Sequence, residues 1–228
     1  MKKLIAFVMV LCLLPFAALA DSGEIKVNAS ATVQMEADYA QVTLSVQTKA
    51  AKVDTAISQN TADINRLIDA LKKAGIAEGD IVTDNFSVFP LYDYQYTSAG
   101  EIPKNTGFQV TNTLTVTVRD LTAVGSMLDT AAQNGATEIY GLTYGSAKAG
   151  EAYDQALTMA IEEGRRKAGV MAAACGKELG ELTEINETMG SYLGARIQAK
   201  ATEDAAAPTI ISDGVNVTAN VEMVFEVK

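Results

Sequence analysis

From Val215 to Val227 every second residue is apolar: Val215, Val217, Ala219, Val221, Met223, Phe225 and Val227. Strand side chains alternate between faces, so this run predicts a long strand with one face in a core and the other in water. One-faced strands belong to antiparallel or mixed sheets backed by helices. The central strands of a doubly wound parallel sheet would be apolar throughout. A strand of this length also has an apolar edge, which its own sheet or another chain must cover.

The rest of the chain repeats the theme. Ile25, Val27, Ala29, Ala31, Val33 and Met35, and then Ala40, Val42, Leu44 and Val46, alternate as a pair of strands. Val53, Ala56, Ile57, Ile64, Leu67, Ile68 and Leu71 are spaced by three and four and predict a helix that ends at Gly75. A third strand is expected from about Asp80 to Pro90, running into an aromatic segment and a polar stretch around Thr97–Thr106. Phe108, Val110, Leu114, Val116 and Val118 mark a fourth strand, and Asp120 is placed to cap a second helix carrying Leu121, Val124, Leu128 and Ala131 before Gly135. A fifth strand takes Ile139, Leu142 and Tyr144. The third helix runs from about Gly150 to Cys175, with Tyr153, Leu157, Ile161, Ala168 and Met171 on its apolar side. A sixth strand lies near Leu182–Glu187, and Gly190–Pro208 reads as a loop with room for a short helix. Two strand-helix-strand units in succession, with flanking strands, make an α+β chain of mixed or antiparallel sheets backed by helices.

The N-terminus carries Lys2 and Lys3, an apolar run from Leu4 to Leu19, and Ala18-Leu19-Ala20 before Asp21. That order is a secretory signal peptide, cleaved after Ala20. Residues 21–228 then form the mature domain. Losing Lys2 and Lys3 takes the net charge from −10 to −12, a poor match for nucleic acid or anionic lipid. No further apolar segment is long enough to be a transmembrane helix. Cys12 leaves with the signal, so Cys175 has no partner within the chain, and stability must come from packing or assembly. The chain contains no His and no Trp, which removes the commonest general base and every Ser-His-Asp or Cys-His arrangement. Gly141-x-x-x-Gly145 lacks the Lys-Ser/Thr of a phosphate loop, and there is no D-x-D-x-D-G calcium loop. The sequence therefore offers no catalytic set, no metal site and no cofactor motif.

Two candidates remain. Cys175 falls on the predicted apolar stripe of the third helix, four residues after Met171, at a C-terminus whose dipole disfavours a thiolate. A buried, inert thiol is the expected state; an intermolecular disulfide or a redox sensor are the alternatives. Tyr92, Tyr94 and Tyr96 share one side of an extended chain, within a segment that also holds Phe86 and Phe89. They either cap the core at a strand end or form a contact surface, since tyrosine offers rigid area with a polar tip.

Taken in order, several segments resemble the SIMPL-domain family of bacterial periplasmic and secreted proteins. They are Ala74-Gly75-Ile76 followed by Asp80-Ile81-Val82-Thr83, the Pro90-x-Tyr92-x-Tyr94 segment, Gly107-Phe108-Gln109-Val110, Val118-Arg119-Asp120-Leu121, Asn134-Gly135-Ala136, and Leu179-Gly180. Ala29 and Ala31 stand where the family has glycines, and Ala37-Asp38 where it has Pro-Asp. The resemblance implies export to the envelope or medium, assembly into ring-like homo-oligomers in some members, and a link to oxidative stress. It implies no catalytic residues. The reading is a non-enzymatic scaffold, channel-like ring or binding protein of the cell envelope, in periplasm or medium. A thiol-dependent antioxidant using Cys175 and a monomeric ligand-binding module are the alternatives.

Overall fold

The computed structural model describes residues 23–97, 100–193, 197–199, 210–212 and 214–228. The signal segment lies outside them. The strands are β1 (Glu24–Met35), β2 (Tyr39–Ala50), β3 (Ile81–Thr97), β4 (Gly100–Val118), β5 (Glu138–Gly145), β6 (Leu179–Leu193), β7 (Ile197–Ala199), β8 (Ile210–Ser212) and β9 (Val215–Val227). The helices are α1 (Val53–Lys73), α2 (Val124–Gln133) and α3 (Ala149–Ala174). The fold is α+β, as its alternating strands predict.

Four strands form one antiparallel sheet in the order β3-β4-β2-β5. β4 lies between β2 and β3, the two strands that α1 connects; β2 lies between β4 and β5, the two that α2 connects. The two predicted strand-helix-strand units are thus split and interlocked, as in a ferredoxin-like βαββαβ arrangement. α1 and α2 pack their apolar stripes on one face, where Leu44, Leu67, Leu71, Leu114 and Met127 are fully buried. The opposite face carries Gln41, Thr43, Gln47, Thr111, Thr115 and Thr117.

The second sheet has the order β1-β9-β6, also antiparallel, with α3 against its apolar face. The C-terminal strand is its centre, so its apolar edge is covered from both sides by its own chain. Among the described residues its edge strands are β1 and β6. A small cluster of Ala152, Val215 and Val217, with Met35 and Ala37 packed on it, joins the two cores where β1 passes into β2.

Each helix ends on a glycine in the left-handed region: Gly75 at φ 96°, Gly135 at 105° and Gly176 at 70°. The N–H two residues past the cap returns to the helix each time. Ile76 donates to Leu71 O at 3.1 Å, Ala136 to Ala131 O at 3.1 Å and Lys177 to Ala172 O at 2.9 Å. These are Schellman motifs; those of α2 and α3 lead straight into β5 and β6, and that of α1 into a 3-10 turn at Glu78–Asp80 that precedes β3.

Three expectations need correction. The polar stretch at 97–106 is strand wherever it is described, because β4 begins at Gly100 and pairs with β3 throughout. Within 190–208, β6 continues to Leu193 and Ile197–Ala199 form β7, paired with β8, so these residues are strand where a loop was expected; the rest of that stretch lies outside the described residues. The apolar side of α3 is also different from the one predicted. Its buried residues are Ala152, Ala156, Ala160, Gly164, Ala168 and Ala172, while Met171 is 45% exposed. The bulk of this core comes from β1 and β9, above all Met223 and Phe225. The helix lies close against them on its small residues, and a Cβ added at Gly164 would stand 2.6 Å from Met223 Sδ.

Candidate interaction surface

β2 pairs with β4 only as far as Ala50 opposite Phe108. β3 and β4 continue together past that point, from Leu91 opposite Gly107 to Thr97 opposite Gly100. The result is a two-stranded arm that leaves the sheet. At about 3.3 Å per residue it reaches roughly 20 Å beyond it. Its base is specified locally. Thr106 is an extra residue between Gly107 opposite Leu91 and Asn105 opposite Tyr92, so the ladder bulges there. Asn105 Oδ1 accepts from the Gly107 N–H at 3.1 Å, and Thr106 Oγ1 donates to Leu91 O at 3.3 Å. Gly107 has φ 153°, and a Cβ there would lie 2.6 Å from the Ala50 carbonyl oxygen. Only glycine lets β4 pass the end of β2 this closely.

The arm presents apolar side chains on both faces. Tyr92 and Tyr94 alternate onto one, and Leu91, with Phe89 at the arm's root and Ile102 across from Gln95, belongs to the other. Their exposures are 52% for Tyr92, 54% for Tyr94, 59% for Phe89 and 53% for Ile102. The reading of these tyrosines as a cap on the core is therefore overturned, because the core ends with β2 and the tyrosines stand beyond it. Tyr96 falls in β3 opposite Glu101, and its side chain lies outside the described residues. The arm has a polar cross-strand partnership too, Asp93 opposite Lys104.

Cys175 is exposed, which corrects its expected burial. It is the C-cap of α3, one position past the helix's last residue and off its small-residue stripe, and its N–H donates to Ala172 O at 3.0 Å. The thiol lies some distance along the chain from the aromatic arm and belongs to the other sheet's layer. Among the described residues no group of three or more His, Cys, Asp or Glu side chains is arranged to hold a metal, and no helix is long and apolar enough to cross a membrane.

Sequence reasoning met Asp38 only as a turn residue of the family pattern and gave it no role. It sits in the turn from β1 to β2 and binds the segment that leads into α3: its carboxylate accepts from the Ala147 N–H at 3.0 Å and from Ser146 Oγ at 2.8 Å. Its own N–H donates to Gly145 O at 2.9 Å. An Asp directly before the first residue of a strand, in a short turn between two alternating runs, was the available signal. Two other ion pairs give local support. Arg119 forks onto Asp80 at 2.7 and 2.9 Å, and this hydrogen-bonded pairing raises its pKa. Arg166 forks onto Glu163 at 2.7 and 2.8 Å and holds that carboxylate below its usual range. Tyr144, a β5 residue buried in the core of the four-stranded sheet, has its phenol pushed up by burial.

The comparisons with known proteins agree with this architecture's sequence landmarks. A family model described as "SIMPL: Protein of unknown function (DUF541)" matches residues 25–225. The 26 kDa periplasmic immunogenic protein of Brucella melitensis is 30% identical over 203 residues, covering 84% of this chain and 79% of that protein. The uncharacterized protein YggE of Edwardsiella ictaluri is 28% identical over 204 residues, covering 86% of this chain and 84% of the relative. YggE of Escherichia coli K12 is 27% identical over 216 residues, with 92% and 85% covered.

Proposed function

Because this chain belongs to the SIMPL family over residues 25–225, we propose that it is a non-enzymatic protein exported to the cell envelope, which works as a homo-oligomeric scaffold assembled through its aromatic arm. The carrying observation is the arm itself. An isolated two-stranded hairpin is marginal in water, yet this one holds Tyr92 and Tyr94 half-exposed on one face and Ile102 on the other, with Phe89 exposed at its root. Residues of that kind gain most when a second surface desolvates them. Export is supported by the signal-like order of Lys2 to Ala20 and by a relative named as periplasmic. A ring or channel-like arrangement, associated with envelope stress, is the form that the family resemblance suggests for the assembly.

Light scattering on the protein lacking residues 1–20 tests this. A defined mass several times that of the chain is expected. The triple variant Phe89→Ser, Tyr92→Ser, Tyr94→Ser should lose that mass while keeping its circular dichroism. A monomeric wild-type protein, or a triple variant of unchanged mass, would overturn the reading. The exposure of Cys175 favours one second reading, a thiol that reacts with oxidants or joins two chains. Peroxide consumption that disappears in Cys175→Ser would support it.

A further inference from the structure

We infer that the open edge of β1, together with the side of α3 above it, is a two-fold interface with a second copy of this chain. The inference rests on the homo-oligomer reading but not on the arm. Among the described residues β1 pairs only with β9. The Gly23 carbonyl accepts from the Val227 N–H at 2.9 Å, so alternation spends the main-chain groups of Ile25, Val27, Ala29 and Ala31 on β9. Those of Lys26, Asn28, Ser30 and Thr32 turn outward. The Asn28 carbonyl shows this directly, for Lys167 Nζ reaches it at 3.3 Å. An edge of this kind accepts another strand unless something blocks it. No proline, bulge or inward charge interrupts it between Glu24 and Met35.

The side of α3 over this edge is complementary to itself. A shallow groove runs between helix and strand, with Met159, Glu162 and Glu163 beside Ser30–Thr32, and Lys167 and Val170 beside Lys26–Asn28. Arg166 stands between the two ends. Place a second α3 antiparallel to the first, with the two-fold axis between Gly164 and Arg165. Met159 then meets Val170 of the second copy, Glu162 meets Lys167, and Glu163 meets Arg166. All three pairings come from one register. Met159 and Val170 are large apolar residues left exposed in the single chain, and the acidic and basic pairs are the arrangement an isologous contact requires.

The strand obeys the same axis. A Cβ built at Gly164 lies 3.4 Å from Ala29 Cβ, so the centre of the helix pairing stands over Ala29. A two-fold axis through Ala29 pairs Lys26 with Thr32 and Asn28 with Ser30 of the second copy. These are the residues whose main-chain groups face outward. The spacing also closes. α3 packs over β1 and β9 rather than over β6. With strands about 4.8 Å apart and each helix above the middle of its β1-β9 pair, the two α3 axes come to about 10 Å, at the upper end of ordinary helix packing. The product is a continuous six-stranded sheet, β6-β9-β1 joined to its symmetry copy, with two antiparallel helices on one face.

The test uses the arm variant Phe89→Ser, Tyr92→Ser, Tyr94→Ser as background, so that any remaining assembly comes from elsewhere. Light scattering should give twice the mass of the chain. Adding Glu162→Lys with Glu163→Arg should halve it, and adding Arg166→Glu with Lys167→Glu in a separate chain should do the same. Mixing those two variants should restore the doubled mass, because each acidic patch again meets a basic one. Intrachain pairs remain broken in both chains on mixing, so a merely local role for these residues predicts no restoration. A monomeric background variant overturns this interface and leaves the arm reading standing, whereas a wild-type dimer that the arm substitutions leave intact overturns the arm reading alone. Failure of the mixture to restore the doubled mass overturns the two-fold interface.

Discussion

At the scale of single residues, exposure decides what Cys175 can do. The sequence places it near an apolar helix side, but the face that packs is offset from the one the larger residues outline, and the cap position carries Cys175 into solvent. It should therefore label with a small maleimide in the native protein at nearly the rate of the unfolded chain. Protection of a hundredfold or more would return it to a buried or intersubunit position. Asp120 makes the second case. Its carboxylate accepts from Thr122 N at 3.0 Å and from Thr122 Oγ1 at 2.6 Å, and these bonds lower its pKa. The charged form is the one the native state favours. Its contribution is therefore complete above the unfolded carboxylate pKa and disappears as the pH falls through the lower, folded value. Asp120→Ala should lower the melting temperature at neutral pH, and the gap from wild type should close in strong acid. A gap that persists at low pH would mean that the cap works through shape rather than charge.

Among elements, legibility followed locality. β9 is readable from alternation alone, and the three helix ends from Gly75, Gly135 and Gly176, because both signals depend on neighbours within a few residues. Two features escaped for non-local reasons. The aromatic arm is a strand pair whose status depends on β2 stopping at Ala50, a fact about a segment forty residues earlier. Tyr92 and Tyr94 were conspicuous in the sequence, but whether they cap a core or leave it could not be read there. The packing face of α3 depends on Met223 and Phe225, which fill the space a bulkier helix would need. An Ala or Gly at every fourth position from Ala152 to Ala172 was the visible trace of it. Gly164→Leu should test that account. It drives a side chain into Met223 and Ala29, with an expected cost of about 1–3 kcal/mol for overpacking. Ala173→Leu, on the exposed side, should cost little. Equal denaturation midpoints for the two variants would show that α3 does not rest on this stripe.

For the whole molecule, the question is how two layered halves behave as one body. Each has its own core, one beneath α1 and α2 and one beneath α3. They are joined covalently by the β1-β2 turn and the β5-α3 turn, and by the small cluster around Val215 and Val217. Asp38 fastens those two turns to each other through Ala147 and Ser146. Hydrogen bonds to a charged acceptor contribute about 1.5–3 kcal/mol each when well formed, and an exposed one belongs at the low end. Removing them with Asp38→Ala should thus cost roughly 1–2 kcal/mol, a sizeable share of an ordinary domain's stability. The distribution of the loss matters more than its size. Amides of α3 and β9 should exchange faster in the variant, while those of α1, β2 and β4 keep their protection, because the four-stranded sheet closes its core without the turn. Hydrogen exchange read by peptide would show the split. Uniform acceleration across both sheets would mean that the halves are one cooperative unit, bound by the Val215 and Val217 cluster rather than by Asp38.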